Sequence, residues 1–174
     1  TYTGALVEGS DITMLFDVVD NILESREFDM NIKIKYYGYN FDLLLKTAEK
    51  FKHLGEILIN YGFVSRVESL NSQQEGDLMI LLTWNSEYNK GIITGKFYEY
   101  LLLKKNIIAL ASGAPDSELK ELIEKINCGF VGEYAYYERD KKRLKKYLKE
   151  KINEKKLYGK VLTNYNYNEL DKYN

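Results

Sequence analysis

Two apolar runs constrain this chain more than any other feature. Residues 78–84 (LMILLTW) and 107–111 (IIALA) are each of strand length, neither alternates apolar with polar side chains, and a helix-length segment separates them. A strand that is apolar on both faces has to be covered on both faces, as a central strand of a parallel sheet is. The alternation runs through the whole sequence. Strands are predicted over 1–6, 32–37, 56–61, 78–84, 107–111 and 129–131, and helices over 11–25, 41–52, 65–75, 95–104, 117–127 and 139–160. Strands that alternate with helices of this length pair in parallel through right-handed crossovers. The expected class is α/β, a doubly wound parallel sheet with helices on both faces.

At 174 residues and 45% hydrophobic content the chain can bury one full core, so a single domain over 1–174 is expected. It enters its first predicted strand almost at once, as a domain cut from a longer, two-domain protein would. No apolar run reaches the length of a membrane span, no secretory signal opens the sequence, and Cys128 is the only cysteine. A cytoplasmic protein with no disulfide is expected. The net charge of −1 conceals an asymmetry. Segment 139–160 holds eleven Lys or Arg against Asp140, Glu150 and Glu154, a net +8, which leaves −9 on the remainder. Leu144, Leu148 and Ile152 recur every fourth residue beside Tyr147, so this basic C-terminal helix has one apolar stripe to dock on the core. Its cationic face is either solvated or turned to an anionic membrane surface, a peripheral position at the inner face of the cell membrane. No nucleic-acid partner is expected.

Chemistry concentrates in residues 91–100 (GIITGKFYEY), between the predicted strand 78–84 and the helix that follows. A helix starting near Gly95 points its free N–H groups and positive dipole end past the carboxyl edge of the sheet, and Lys96 adds a full charge. Glu99 falls one turn further in, where a carboxylate repels phosphate but accepts hydrogen bonds from two ribose hydroxyls. Phosphate at the cap and ribose one turn behind it describe a bound nucleoside diphosphate. The P-loop pattern is excluded: the position for its first glycine is Lys90, and the residue after Lys96 is Phe97, with no hydroxyl for Mg²⁺. The alternative is that Gly95 only relieves crowding at the helix start while Lys96 and Glu99 are solvated.

Helix starts are signalled by Asp11, by Asn40, by Ser65 with Glu68 at capping-box spacing, and by Asp116 or Ser117. His53, the only histidine, has no nucleophile or acid constellation and is expected on the surface. Cys128 is expected in the core, and Trp84 either in the core or, before the loop that follows it, at the edge of a ligand pocket. No residues are spaced for a metal, so neither a metal nor another cofactor is expected.

Four segments, in order, resemble the C-terminal, nucleotide-sugar-binding half of GT-B fold glycosyltransferases of the family 4 type. They are residues 2–6 (YTGAL), 62–70 (GFVSRVESL) with 73–78 (QQEGDL), 91–101 (GIITGKFYEYL), and 117–123 (SELKELI) leading to 128–131 (CGFV). The resemblance implies a Rossmann-like domain with the sugar nucleotide lying along the carboxyl edge of its sheet. The acceptor site and the catalytic residues then belong to a separate N-terminal domain. Glu99 matches the second glutamate of the family's E-x₇-E pattern, which holds the ribose; Gly95 and Lys96 match the turn at the diphosphate; Gly62, Phe63 and Val64 match the loop lining the nucleobase, and Thr94 and Gly91 are expected to bind the substrate beside them. The chain departs from the pattern in two places. Gly91 stands where the first glutamate belongs, and no Lys or Arg precedes Arg26. More of the phosphate charge then falls to Lys96 and the helix end, or a basic residue arrives from elsewhere.

The expected activity is transfer of a sugar from a nucleoside-diphosphate sugar to a carbohydrate or lipid-linked acceptor in surface polysaccharide biosynthesis, with this chain alone inactive. The alternatives are a nucleotide-sugar epimerase of the same fold and a non-catalytic anion-binding α/β module.

Overall fold

The computed structural model describes residues 1–7, 9–86, 93–115 and 117–173. Gly91 and Asp116 lie outside the described residues, so nothing structural attaches to either expectation. The protein is α/β, and its described residues form six parallel strands in two three-stranded sheets. The first contains β1 (Tyr2–Thr3), β2 (Ile34–Tyr37) and β3 (Leu58–Asn60), with β2 in the middle. The second contains β4 (Leu78–Asn85), β5 (Asn106–Gly113) and β6 (Gly129–Glu133), with β5 in the middle. Thr1 joins them: its backbone nitrogen donates to the Leu78 carbonyl at 2.7 Å, and the Ile80 N–H donates to the Thr1 carbonyl at 2.8 Å. β1 therefore runs beside β4.

Alternate residues of β4 reach opposite cores, which is why this run carries no polar alternation. Ile80 and Leu82 pack with Ile108, Leu110 and Phe130 beneath α1 (Thr13–Ser25) and α7 (Tyr137–Tyr158). Met79 and Leu81 pack with Ile107, Ala109 and Val131 beneath α5 (Gly95–Leu102) and α6 (Ser117–Ile126). Helices thus cover both faces of this sheet. Burying side chains of this size contributes roughly 1.5–3 kcal/mol each, so these two layers dominate cohesion.

Several boundaries differ from expectation. The first strand keeps only Tyr2–Thr3 of 1–6, because the chain turns at Gly4, whose φ is 119°. The helix expected over 41–52 ends early as α2 (Phe41–Ala48), and residues assigned to the third strand form a short helix instead, α3 (Leu54–Ile57). Leu54 is fully buried there, so packing overrides the strand preference of residues 56 and 57. A short α8 (Tyr167–Leu170) was not expected, and its Leu170 and the preceding Tyr165 complete the core beneath α6. Ser65 and Glu68 form the full capping box that starts α4 (Arg66–Glu75). Asn40 does not cap α2: it sits at φ 68° and its amide donates to the Leu6 carbonyl instead, tying the turn after β2 to the turn after β1. Asp11 lies one residue before the N-cap of α1 yet still accepts from the Thr13 N–H at 2.7 Å.

The basic helix docks through Leu144 and Leu148, as its stripe requires. Its charge is met largely by acids on other elements. Lys141 pairs with Asp17 and Lys149 with Glu27, both contributed by α1 or the turn after it, while Lys155 pairs with Asp77 before β4. Asp140 is fully buried and accepts from Arg139, Arg143 and the Glu133 N–H. These donors hold its carboxyl below its ordinary value, against the opposing effect of burial. This explains how a +8 segment sits on a domain that is acidic elsewhere. Among the described residues no helix is long and apolar enough to cross a membrane.

Candidate functional site

The parallel strands all end on one edge, and the turns leaving β1, β2 and β3 meet there. Gly4, Ala5, Tyr37, Gly38, Phe63 and Val64 line a cavity of about 310 Å³, with Ser69 of α4 also on its wall. Phe63 is 70% exposed and stacks on Tyr39, ring centroids 4.8 Å apart. Gly62 precedes it at φ 68°, and its carbonyl accepts from the Gly38 N–H at 2.8 Å. Phe63 and Val64 of the loop expected to line a base thus face this cavity together with Gly4 and Ala5, which follow β1. A flat apolar group inserted there would meet aromatic faces, an arrangement worth about 1 kcal/mol beyond its area burial.

Helix α5 begins at Gly95, as the sequence indicates, after an extended Thr94. A Cβ at Gly95 would meet no described atom within 4 Å. Among the described residues, then, nothing crowds Gly95, which is exposed at the start of α5. Thr94 Oγ1 is buried with no hydrogen-bond partner among the described residues. Lys96 reaches back across β1: its ammonium lies 4.9 Å from the Tyr2 ring centroid and occupies the space that a side chain on Gly4 would need. Burial pulls its pKa below the ordinary lysine value, and the charge of Glu99 opposes that fall.

Glu99 stands one turn deeper, with its side chain 23% exposed. Its Oε1 accepts from Arg66 Nη1 at 2.8 Å and its Oε2 from Gln73 Nε2 at 3.1 Å. Sequence reasoning missed both partners. Arg66 follows the capping serine and so points its side chain across to α5, a placement that the capping-box signal could have suggested. Gln73 has no such signal in an exposed-looking helix.

The structure brings Gly62, Phe63, Val64, Thr94, Gly95, Lys96 and Glu99 to the carboxyl edge of the strands, with Gly4 lining the cavity and touching Lys96. Trp84 is 46% exposed at the end of β4, its ring against Gly9, so it stands on the rim of this edge. His53 precedes α3 at the opposite, amino end of β3, where its Nε2 meets Glu24 at 2.5 Å. Cys128 is fully buried, with its thiol pushed up to about 12 by that burial. Among the described residues no group of three or more His, Cys, Asp or Glu could hold a metal ion. Comparison with models of known protein families and with curated proteins finds no match.

Chemically, the described residues of this edge offer a half-buried cation in Lys96, the N-terminus of α5, an anchored carboxylate in Glu99 and an aromatic-walled cavity. Such a set suits a ligand with an anionic centre, a hydroxylated middle and a flat end.

Proposed function

We propose that this chain is the donor-binding domain of a GT-B type glycosyltransferase, which moves a sugar from a nucleoside diphosphate to a carbohydrate or lipid-linked acceptor. The observation that carries this reading is Lys96 folded over the end of β1, with Glu99 one turn behind it and the Phe63 cavity alongside. A nucleoside diphosphate laid along this edge would put phosphate at Lys96 and Gly95, ribose at Glu99, and base against Phe63 and Val64.

Strand order supports the same reading. Through the Thr1 hydrogen bonds the strands follow one another as β3-β2-β1-β4-β5-β6, the order of doubly wound nucleotide-binding folds, whose ligands sit where the order reverses. That reversal lies between β1 and β4, beside Gly4 and Lys96. Fold alone does not assign function, so the argument rests on the side chains. In catalysis Lys96 and the α5 N-terminus would stabilise the departing diphosphate as negative charge develops on it. The acceptor and any base would come from another domain.

Isothermal titration with UDP, GDP, ADP, dTDP and inorganic pyrophosphate tests this. At least one nucleotide should bind more tightly than pyrophosphate, with no sugar transfer by this chain alone. Pyrophosphate binding as tightly as every nucleotide would favour the second reading, a non-catalytic anion module. The engagement of both Glu99 oxygens by Arg66 and Gln73 gives that reading its support.

A further inference from the structure

Gln73 is 0% exposed yet ends in a primary amide, on an α4 whose remaining surface is largely open. Its Nε2 lies 3.1 Å from Glu99 Oε2, 3.1 Å from Thr3 Oγ1 and 3.4 Å from Ser69 Oγ. Thr3 continues the chain to the Tyr100 hydroxyl at 3.3 Å, and that hydroxyl donates to the Ile80 carbonyl at 3.4 Å. Thr3 and Tyr100 are buried as well. The carboxylate is thereby referenced to β1, β4 and α4 at once.

Packing does not account for this amide. Its Oε1 is buried with no hydrogen-bond partner among the described residues, a cost that a methionine of similar size would avoid. What the amide supplies is a fixed donor on one oxygen of Glu99. Among the described residues the other oxygen meets only Arg66, which is 63% exposed, so Oε1 is the one on the solvent side. An ionised carboxylate is acceptor-only, with about four lone-pair sites on its two oxygens. Holding Oε2 from beneath fixes the carboxylate plane and leaves its outward lone pairs for a pair of hydroxyls.

We propose that Gln73 is a positioning residue for Glu99, and that through it the site selects ligands carrying a vicinal diol, such as ribonucleotides, over deoxygenated ones. The inference rests on the nucleotide reading above. It is tested by titrating the whole chain with UDP, GDP and ADP, each against its 2′,3′-dideoxy analogue, and with inorganic pyrophosphate. Wild type should prefer the ribose form by about tenfold or more, the scale of hydrogen bonds to a charged acceptor. Gln73→Met should bring that ratio to within about twofold and leave pyrophosphate binding unchanged.

Gln73→Glu adds a readout that a purely structural residue would not move. When protonated, its side chain can donate to Glu99 as the amide does; once ionised it repels. Selectivity for ribose in that variant should be present at low pH and lost as pH rises, while wild type stays level across the same range. Should Gln73→Met fail to fold, Thr3→Val removes the anchor of the amide and should lower the ratio in its place. Nucleotide binding with no ribose preference in wild type, or an unchanged preference in both variants, overturns the role of Gln73 and leaves the nucleotide reading standing. Absence of nucleotide binding in wild type overturns both.

Discussion

The Lys96 side chain fills the space next to Gly4 that any other residue at position 4 would claim, so the turn after β1 and the start of α5 are fitted to each other. Gly4 sits at φ 119°, a conformation that L side chains rarely adopt. Gly4→Ala should destabilise the fold by about 1 kcal/mol or more through backbone strain and should displace the ammonium. Thermal melts and pyrophosphate titration read the two effects separately. An alanine variant that binds pyrophosphate as wild type does would show that this fit has no part in anion binding.

Lys96→Ala and Glu99→Ala should weaken nucleotide binding through different parts of the ligand, each by about 1.5–3 kcal/mol. Loss of Lys96 should weaken pyrophosphate and nucleoside diphosphate alike. Loss of Glu99 should spare pyrophosphate. If Glu99→Ala reduced pyrophosphate affinity as much as nucleotide affinity, the carboxylate would be supporting the phosphate site through Lys96 and not holding ribose.

Lys96 also sets a pH dependence whose sign follows from its burial. Its pKa in the folded protein lies below the unfolded value of about 10.5. The ionised form is therefore disfavoured by folding, and this group costs stability at neutral pH. That cost is relieved as pH rises from the folded pKa towards the unfolded one. Anion binding runs the other way, because it needs the charge. Lys96→Met should raise the melting temperature at pH 7 while weakening pyrophosphate, a trade between stability and function. Nucleotide affinity of wild type should begin to fall at a pH below that of an ordinary lysine. A variant that melts lower than wild type at pH 7 would contradict the first part.

The strands and helices that bury the most apolar surface were legible, because periodicity and burial there reflect one cause. β4 and β5 read as apolar runs since both of their faces are covered, and α7 showed its docking stripe as Leu144 and Leu148. The element around Leu54 was not legible. Its helical turn is imposed by the burial of one side chain, which local propensity does not encode. At the candidate site, Gly95, Lys96 and Glu99 could be placed from spacing because they share one helix start. Their partners could not. Gly4, Arg66 and Gln73 lie at least 26 residues from the α5 groups they touch, and only the folded chain brings them together.

Cys128 should be inert in the native protein. It is fully buried and its thiol is pushed up to about 12, so the reactive thiolate is scarce at pH 8 and reagents cannot reach it. Labelling with iodoacetamide should proceed only at the rate at which the region opens, and at full speed in denaturant. Rapid alkylation of native protein would place the thiol at the surface and contradict the packing beneath α6.

The basic helix gives the last expectation. Most of its cations are paired, but Lys142, Lys145 and Lys156, with Lys160 just past its end, form no ion pair with a described residue. Free lysines near an anionic surface contribute about 1 kcal/mol each, so these four could hold the protein at a membrane carrying a lipid-phosphate acceptor, though weakly. Co-sedimentation with phosphatidylglycerol vesicles should be detectable at low salt and absent with neutral vesicles. Raising the salt from 0.1 to 1 M shortens the screening length from about 10 Å to about 3 Å and should release the protein. Replacing all four lysines by glutamine should abolish the binding without lowering the melting temperature, since none of them takes part in the ion pairs that fasten α7 to α1 and β4. Equal, negligible binding to both kinds of vesicle at low salt would make the cationic face a solvated cover for the sheet and nothing more.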